Sequence, residues 1–242
     1  NISVNGIPAE TQSYNRLGDA SQITGANTNL TEWTLLSYMG RVNYDYKEKY
    51  LLTATVRMDG SSRFGANTKF GIFPSVAFGW NISEEPFIKD VAAIDQLKLR
   101  ASWGAIGNQA INPYQTQSLL GRTAYAWDNT AAYGYRPNTI GNPDLRWETS
   151  TTKNIGLDFS FLRGRISGTA EYYVTNTTDL LAPQPLPTSI GFGGFTTNIG
   201  ETQNSGIELT LNTVNVDRGD FQWTSDLIFT KNKEEIVSLA NG

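Results

Sequence analysis

The sequence predicts an all-β fold: an antiparallel up-and-down transmembrane β-barrel segment of about eight strands, with one short helix near residues 84–94. Three observations carry this reading. Apolar residues alternate with small or polar ones, so each run has one oily and one hydrophilic side. The best runs are about 11 residues long, enough to cross a bilayer core when tilted. The connections also alternate between short and long, as they do in barrels with short turns at one rim and long loops at the other.

The clearest pair of runs is YLLTATVRMDGSSRFGANTKFGIFPSVAFGW at 50–80. Tyr50, Leu52, Ala54, Val56 and Met58 share one side, and Phe70, Ile72, Val76, Phe78 and Trp80 share one side of the return run. An earlier run puts Leu36, Tyr38, Val42, Tyr44 and Tyr46 together, then turns through Lys47–Lys49. After Trp80, Ser83 is a plausible N-cap, Glu84 and Glu85 suit a positive helix start, and Pro86 fits the first turn, which is the basis for the helix. Leu97, Leu99, Ala101 and Trp103 alternate next; Ile155, Leu157, Phe159 and Phe161 follow, and Ile166, Ala170, Tyr172 and Val174 return from a short turn at 162–165. Ile207, Leu209 and Leu211, then Phe221, Trp223, Leu227 and Phe229, complete eight strands. Residues 1–31 read as a polar loop, and 32–242 as a partial β-barrel domain with long external loops at 104–147 and 176–204. Aromatics beside the short links (Tyr44, Tyr46, Tyr50, Trp80, Phe159, Phe161, Phe221 and Trp223) suit a girdle at a membrane interface.

Composition narrows the function classes. The 242 residues contain no cysteine and no histidine, which removes disulfides, thiolate or imidazole metal sites and Ser-His-Asp triads. A net charge of −4 argues against nucleic acid as a partner. Mean hydropathy is −0.35, with no apolar run long enough for a membrane helix. No catalytic, metal or cofactor site is expected. Glu84/Glu85 and Glu234/Glu235 are adjacent in sequence and read as surface decoration rather than as an acid and a base. The GFGGF stretch at 191–195 lacks the last glycine of a dinucleotide motif and reads as a mobile loop. A soluble β-rich carbohydrate-binding module is the alternative on pattern alone, with an enzyme third.

Particular words go further than pattern. YLLTATVRMDGSSRFG (50–65), FPSVAFGWNISEE (73–85), LKLRASWGAIGNQ (97–109), GNPDLRWETSTTKNIGLDF (141–159) and TTNIGETQNSGIELTLN (196–212) resemble SusC/RagA-type TonB-dependent transporters, the outer-membrane nutrient importers of Bacteroidota. The resemblance implies a barrel of the 22-stranded type with a plugged lumen. It also implies outer-membrane localisation, import of oligosaccharides or peptides, a SusD-like surface lipoprotein as partner, and drive from TonB. The chain lacks a signal peptide, a plug, a TonB box and a terminal aromatic, so an internal fragment from the middle-to-late barrel is expected. TonB would then act through a plug region absent here, and the lipid of the outer membrane would meet the oily side.

Two sets of residues are the site candidates. In the 104–147 loop, Tyr125, Trp127, Tyr133 and Tyr135 could stack on sugar rings or peptide side chains, with Arg122, Asp128 and Asn129 as hydrogen-bonding partners. On the strands, Arg57, Asp59, Lys98, Arg100, Asp158 and Glu171 are expected to face the lumen, where they would meet plug or substrate or pair across strands.

Overall fold

A computed structural model describes residues 2–5, 22–26, 30–128 and 130–239. It divides into two units, 1–32 and 33–242. In the first, β1 (Ile2–Asn5) pairs antiparallel with β2 (Gln22–Ala26). The polar-loop expectation for 1–31 is corrected to that extent, since a strand of four of its residues and one of five form a short antiparallel ladder. The rest of 1–31 lies outside the described residues.

In the second unit eight strands form one antiparallel sheet: β3 (Leu35–Tyr46), β4 (Tyr50–Ser61), β5 (Phe70–Asn81), β6 (Ile94–Asn108), then, past one hairpin of β7 (Leu120–Trp127) and β8 (Thr130–Pro137), β9 (Glu148–Phe161) and β10 (Ile166–Thr178). A second hairpin of β11 (Leu181–Pro185) and β12 (Gly194–Asn198) precedes β13 (Glu201–Arg218) and β14 (Phe221–Ser238). Sheet neighbours follow chain order throughout, from β3 at one edge to β14 at the other, and the sheet is open. All eight expected strands are present.

Two of the short links obey one local rule. Lys47 and Glu48 take φ of 57° and 58°, and Leu162 and Arg163 take 57° and 58°, the paired positive values that let a tight turn match strand twist. Asp45 accepts from the Glu48 amide at 2.8 Å, and the Asn81 side chain donates to the Glu48 carbonyl, which pins the first turn.

No helix forms over 84–94. A single 3-10 turn spans Ile82–Glu84, and Glu85 is extended at φ −77°, ψ 143°. The cause is Pro86, whose ring disfavours the helical region for the residue before it. Hydrogen-bonded turns carry the chain on to β6, with the Lys89 amide donating to the Glu85 carbonyl.

The two faces of the sheet differ as alternation requires. Cross-strand rows such as Leu52–Phe78–Ala101–Ile155–Tyr172–Ile207 line the apolar face. None of the described residues covers them: Val56 is 51% exposed, Ile72 65% and Phe78 40%. A soluble sandwich would bury this face under a second layer, and no second layer exists among the described residues. At the short-link end Tyr50 stacks on Tyr46 at 6.4 Å and on Trp80 at 6.5 Å, and Phe159 stacks on Phe161 at 5.6 Å. Among the described residues, buried hydrophobics form one small cluster, Phe64, Phe73, Ile111, Leu145 and Trp147, contributed by β5 and the long connections.

Candidate functional site

The polar face carries the charged groups. Strand parity puts Arg57, Asp59, Lys98, Arg100, Asp158 and Glu171 all on this side. They fall into two groups. On β4, the Arg57 guanidinium donates to both carboxylate oxygens of Asp59 at 2.9 and 2.7 Å, and reaches Ser37 on β3. Across β6, β9 and β10, Arg100 donates to both oxygens of Asp158 at 2.8 Å and to Glu171 at 2.6 Å. Asn154 donates to the other Glu171 oxygen at 3.1 Å. Lys98 stands directly opposite Asp158 in register, yet the Asp158 carboxylate is taken by Arg100. A planar fork holds a carboxylate by two bonds, which an ammonium cannot do.

Around these ions the face is a ladder of hydroxyls and amides, with Ser150 bonded to Thr177 and Thr152 to Thr175. A concavity of about 580 Å³ opens here, lined by Arg41, Thr53, Thr55, Arg57, Ser75 and Ser102 among others. Its polar side chains are hydroxyls, the guanidinium groups of Arg41 and Arg57, and the Asp59 carboxylate, all at fixed strand positions.

At the long-connection end the chain builds a rigid crown. Trp147 packs on Phe64 at 5.1 Å and edge-on to Phe73 at 5.5 Å, and its Nε1 donates to the Lys69 carbonyl. Arg63 lies over Trp33 and donates to the carbonyls of Gln109 and Ile111. Thr68 donates to the Leu145 carbonyl at 2.6 Å. The β11–β12 hairpin is tied in by Asn198, which accepts from the Arg146 amide and donates to the Arg146 and Asp179 carbonyls. The Arg146 guanidinium pairs with Asp179 at 2.6 Å, which raises its pKa. GFGGF, expected as a mobile loop, spans the hairpin's return: Gly191 turns it at φ 83°, and Gly194 and Phe195 open β12. None of this crown was foreseen, because its five buried side chains come from separate segments with no shared period.

One part stands clear of the crown. In the β7–β8 hairpin, Arg122 lies 3.7 Å over the Tyr133 ring and opposite Tyr135. Tyr125 and Trp127 are on the other side of the same hairpin, so the four aromatics do not converge. Trp127 is 77% exposed and Tyr135 74%. Asp128 is the turn residue at φ 46°, a conformation its short side chain tolerates. Asn129 lies outside the described residues.

Glu85 was also missed as an individual. Its carboxylate is buried at the short-link rim, where it accepts from Tyr50 Oη at 2.8 Å, Trp80 Nε1 at 3.2 Å and Lys49 Nζ at 3.2 Å. The Tyr50 and Trp80 bonds, more than the Lys49 charge, hold its pKa below the ordinary glutamate value.

Comparison with known proteins settles the kinship. The profile described as "TonB dependent receptor-like, beta-barrel" matches residues 5–239. The chain belongs to that family. TonB-dependent receptor P3 of Formosa agariphila is 38% identical over 230 residues, which is 95% of this chain and 23% of that one. TonB-dependent receptor SusC of Bacteroides thetaiotaomicron is 40% identical over 225 residues, covering 88% of this chain and 22% of that one. The solved RagAB peptide transporter superposes with a TM-score of 0.83 at 31% identity, over 93% of this chain and 25% of that chain. The siderophore receptor PirA of Pseudomonas aeruginosa, at TM-score 0.55 and 17% identity, shares the fold. The chain therefore spans less than a quarter of the length of the curated relatives named here. Its eight strands are part of the barrel wall of a TonB-dependent receptor, an outer-membrane protein.

Proposed function

We propose that this chain is a wall segment of a SusC-like importer that carries oligosaccharides or peptides across the outer membrane. It works with a SusD-like lipoprotein at the surface and draws on TonB through the plug. The observation that carries the reading is the two-sidedness of a single sheet. An uncovered apolar face backs a face of paired ions and hydroxyls, in a chain 38–40% identical to TonB-dependent receptors. A soluble carbohydrate-binding module has no use for that bare side, and an enzyme would need a convergent acid and base that the paired carboxylates do not supply.

In this reading residues 32–242 are the partial barrel, and its external parts run over 104–147 and 176–204, taking in the outer ends of β6, β10 and β13. Arg57, Asp59, Lys98, Arg100, Asp158 and Glu171 line the lumen, where paired ions keep the wall polar without a strong field of either sign. The exposed side chains Arg122, Tyr125, Trp127, Tyr133 and Tyr135 meet substrate on the way in, with Asp128 shaping the hairpin tip. The test is uptake by cells whose only importer is the full-length protein. Labelled oligosaccharides and peptides are offered with and without a protonophore. Energy-dependent uptake of one class, reduced when Trp127 and Tyr135 are both changed to alanine, is the expected result. Uptake of neither class, or full uptake by the double variant, overturns the proposal in whole or in its site.

A further inference from the structure

The turn segment between β5 and β6 has no role in the wall or the crown. It leaves Phe87 69% and Val91 42% exposed on a stretch of only a few residues, beside Lys89 and Pro86. Its position is fixed by the Glu85 carboxylate. Two of that carboxylate's donors, Tyr50 and Trp80, belong to the apolar face and to its stacked aromatic row. The segment is therefore held at the rim of the lipid-facing side. Missing strands of a complete barrel do not reach it, because β5 and β6 sit inside the sheet with neighbours on both sides.

The geometry points to a lipid contact: residues 86–91 form a foot that rests in the headgroup and upper acyl region of the leaflet at the short-link rim, with Phe87 and Val91 immersed. The occupant follows from continuity. The apolar face ends in Tyr46, Tyr50 and Trp80, rings of the kind that sit at headgroup level, and the foot hangs from two of them. Short apolar side chains flanked by polar ones bind such a boundary by burying area in it. Lys89 pairs with Glu84 at 3.3 Å, and with Asp90 beside them these three groups carry one net negative charge, so the contact rests on apolar burial rather than on attraction to anionic headgroups. This contact does not depend on what the protein imports.

The test uses the full-length protein, on a background without other cysteines, reconstituted in phosphatidylcholine vesicles. Single cysteines replace Phe87, Val91 and, as a water-facing control, Glu48, and each carries a polarity-sensitive fluorophore. Lipids spin-labelled near the headgroup should quench positions 87 and 91 several-fold more than position 48, while iodide quenches position 48 more. Quenching of 87 and 91 by iodide alone overturns the proposal by placing the foot in water. Protection from both quenchers overturns it by placing the foot against protein, such as the plug. A Glu85→Gln background, in which the tether is weakened, should lower the lipid quenching at 87 while leaving the assembled barrel intact.

Discussion

Arg100 on β6 bonds Glu171 on β10 at 2.6 Å although a whole strand, β9, lies between them. The residue of β9 opposite both is Gly156, and a Cβ there would stand 3.1 Å from the Arg100 guanidinium and 3.3 Å from Glu171 Cγ. The ion cluster exists because one strand offers no side chain at that level. Gly156→Ala crowds only the movable ends of two side chains and is expected to be mild. Gly156→Val adds two methyls across the bridge and should cost about 1–3 kcal/mol, as overpacking does elsewhere. Denaturant unfolding of the full-length protein in detergent checks the contrast, and equal stability of the two variants would refute the bridging role of the gap.

The crown and the free hairpin predict opposite responses to the loss of a tryptophan. Trp147 is buried among Phe64, Phe73 and Leu145, so Trp147→Ala should destabilise by about 3–5 kcal/mol and open residues 62–69 and 138–147 to protease. Trp127 projects into solvent, and Trp127→Ala should leave stability within about 0.5 kcal/mol. Limited proteolysis and melting of the two variants side by side decide it.

Alternation made the strands legible, because a two-residue period survives even when each strand averages out polar. It understated their length. β13 was visible from Ile207 yet begins at Glu201, where Thr202, Gln203, Asn204 and Ser205 carry the ladder on without an apolar residue to mark a side. Beyond the oily band both sides of a strand turn polar, and the signal ends before the strand does. The same parity sorted all six charged wall residues to one face. It could not sort the aromatics of the 104–147 loop. A two-residue turn sets Tyr125 opposite Ala132, so odd-numbered residues of β7 share a side with even-numbered residues of β8. The crown was illegible for a different reason: Phe64, Ile111 and Leu145 are buried by meetings between distant segments, and no local pattern records those. The helix over 84–94 failed on one residue, since the signals at its start were sound until Pro86 set the backbone of Glu85.

Glu85 gives a pH dependence with a definite sign. Its pKa is lower in the folded chain than in the unfolded one, because Tyr50, Trp80 and Lys49 stabilise the carboxylate. Its contribution is thus fully present above the ordinary glutamate value of about 4.5 and is lost as pH falls through the depressed folded value. The amides of Ile88 and Lys89, which donate to the Glu85 carbonyl, report the rim directly. Their exchange, corrected for the intrinsic pH effect, should be slow at pH 7 and accelerate only once pH has fallen below the ordinary glutamate value. Glu85→Gln should exchange faster at pH 7 and lose the acid-dependent step. An unchanged step in that variant would assign it to another group.

Neighbours on β14 report the sidedness of the wall directly. Phe229 stands on the apolar face opposite Leu209, and Thr230 stands on the polar face opposite Glu208. An arginine at 229 points its charge into hydrocarbon, which costs about 2–4 kcal/mol near the midplane and less toward either interface. An arginine at 230 meets a carboxylate directly across the ladder, a pairing that favours the sheet slightly. Phe229→Arg should therefore lower the amount of full-length protein assembled in the outer membrane and its resistance to unheated detergent, while Thr230→Arg matches the parent in both. One residue of displacement along β14 would reverse that order, because a slip by one exchanges every side chain between lipid and water. If Thr230→Arg were the damaging change, the apolar face would be the inner one and the wall would be inside out.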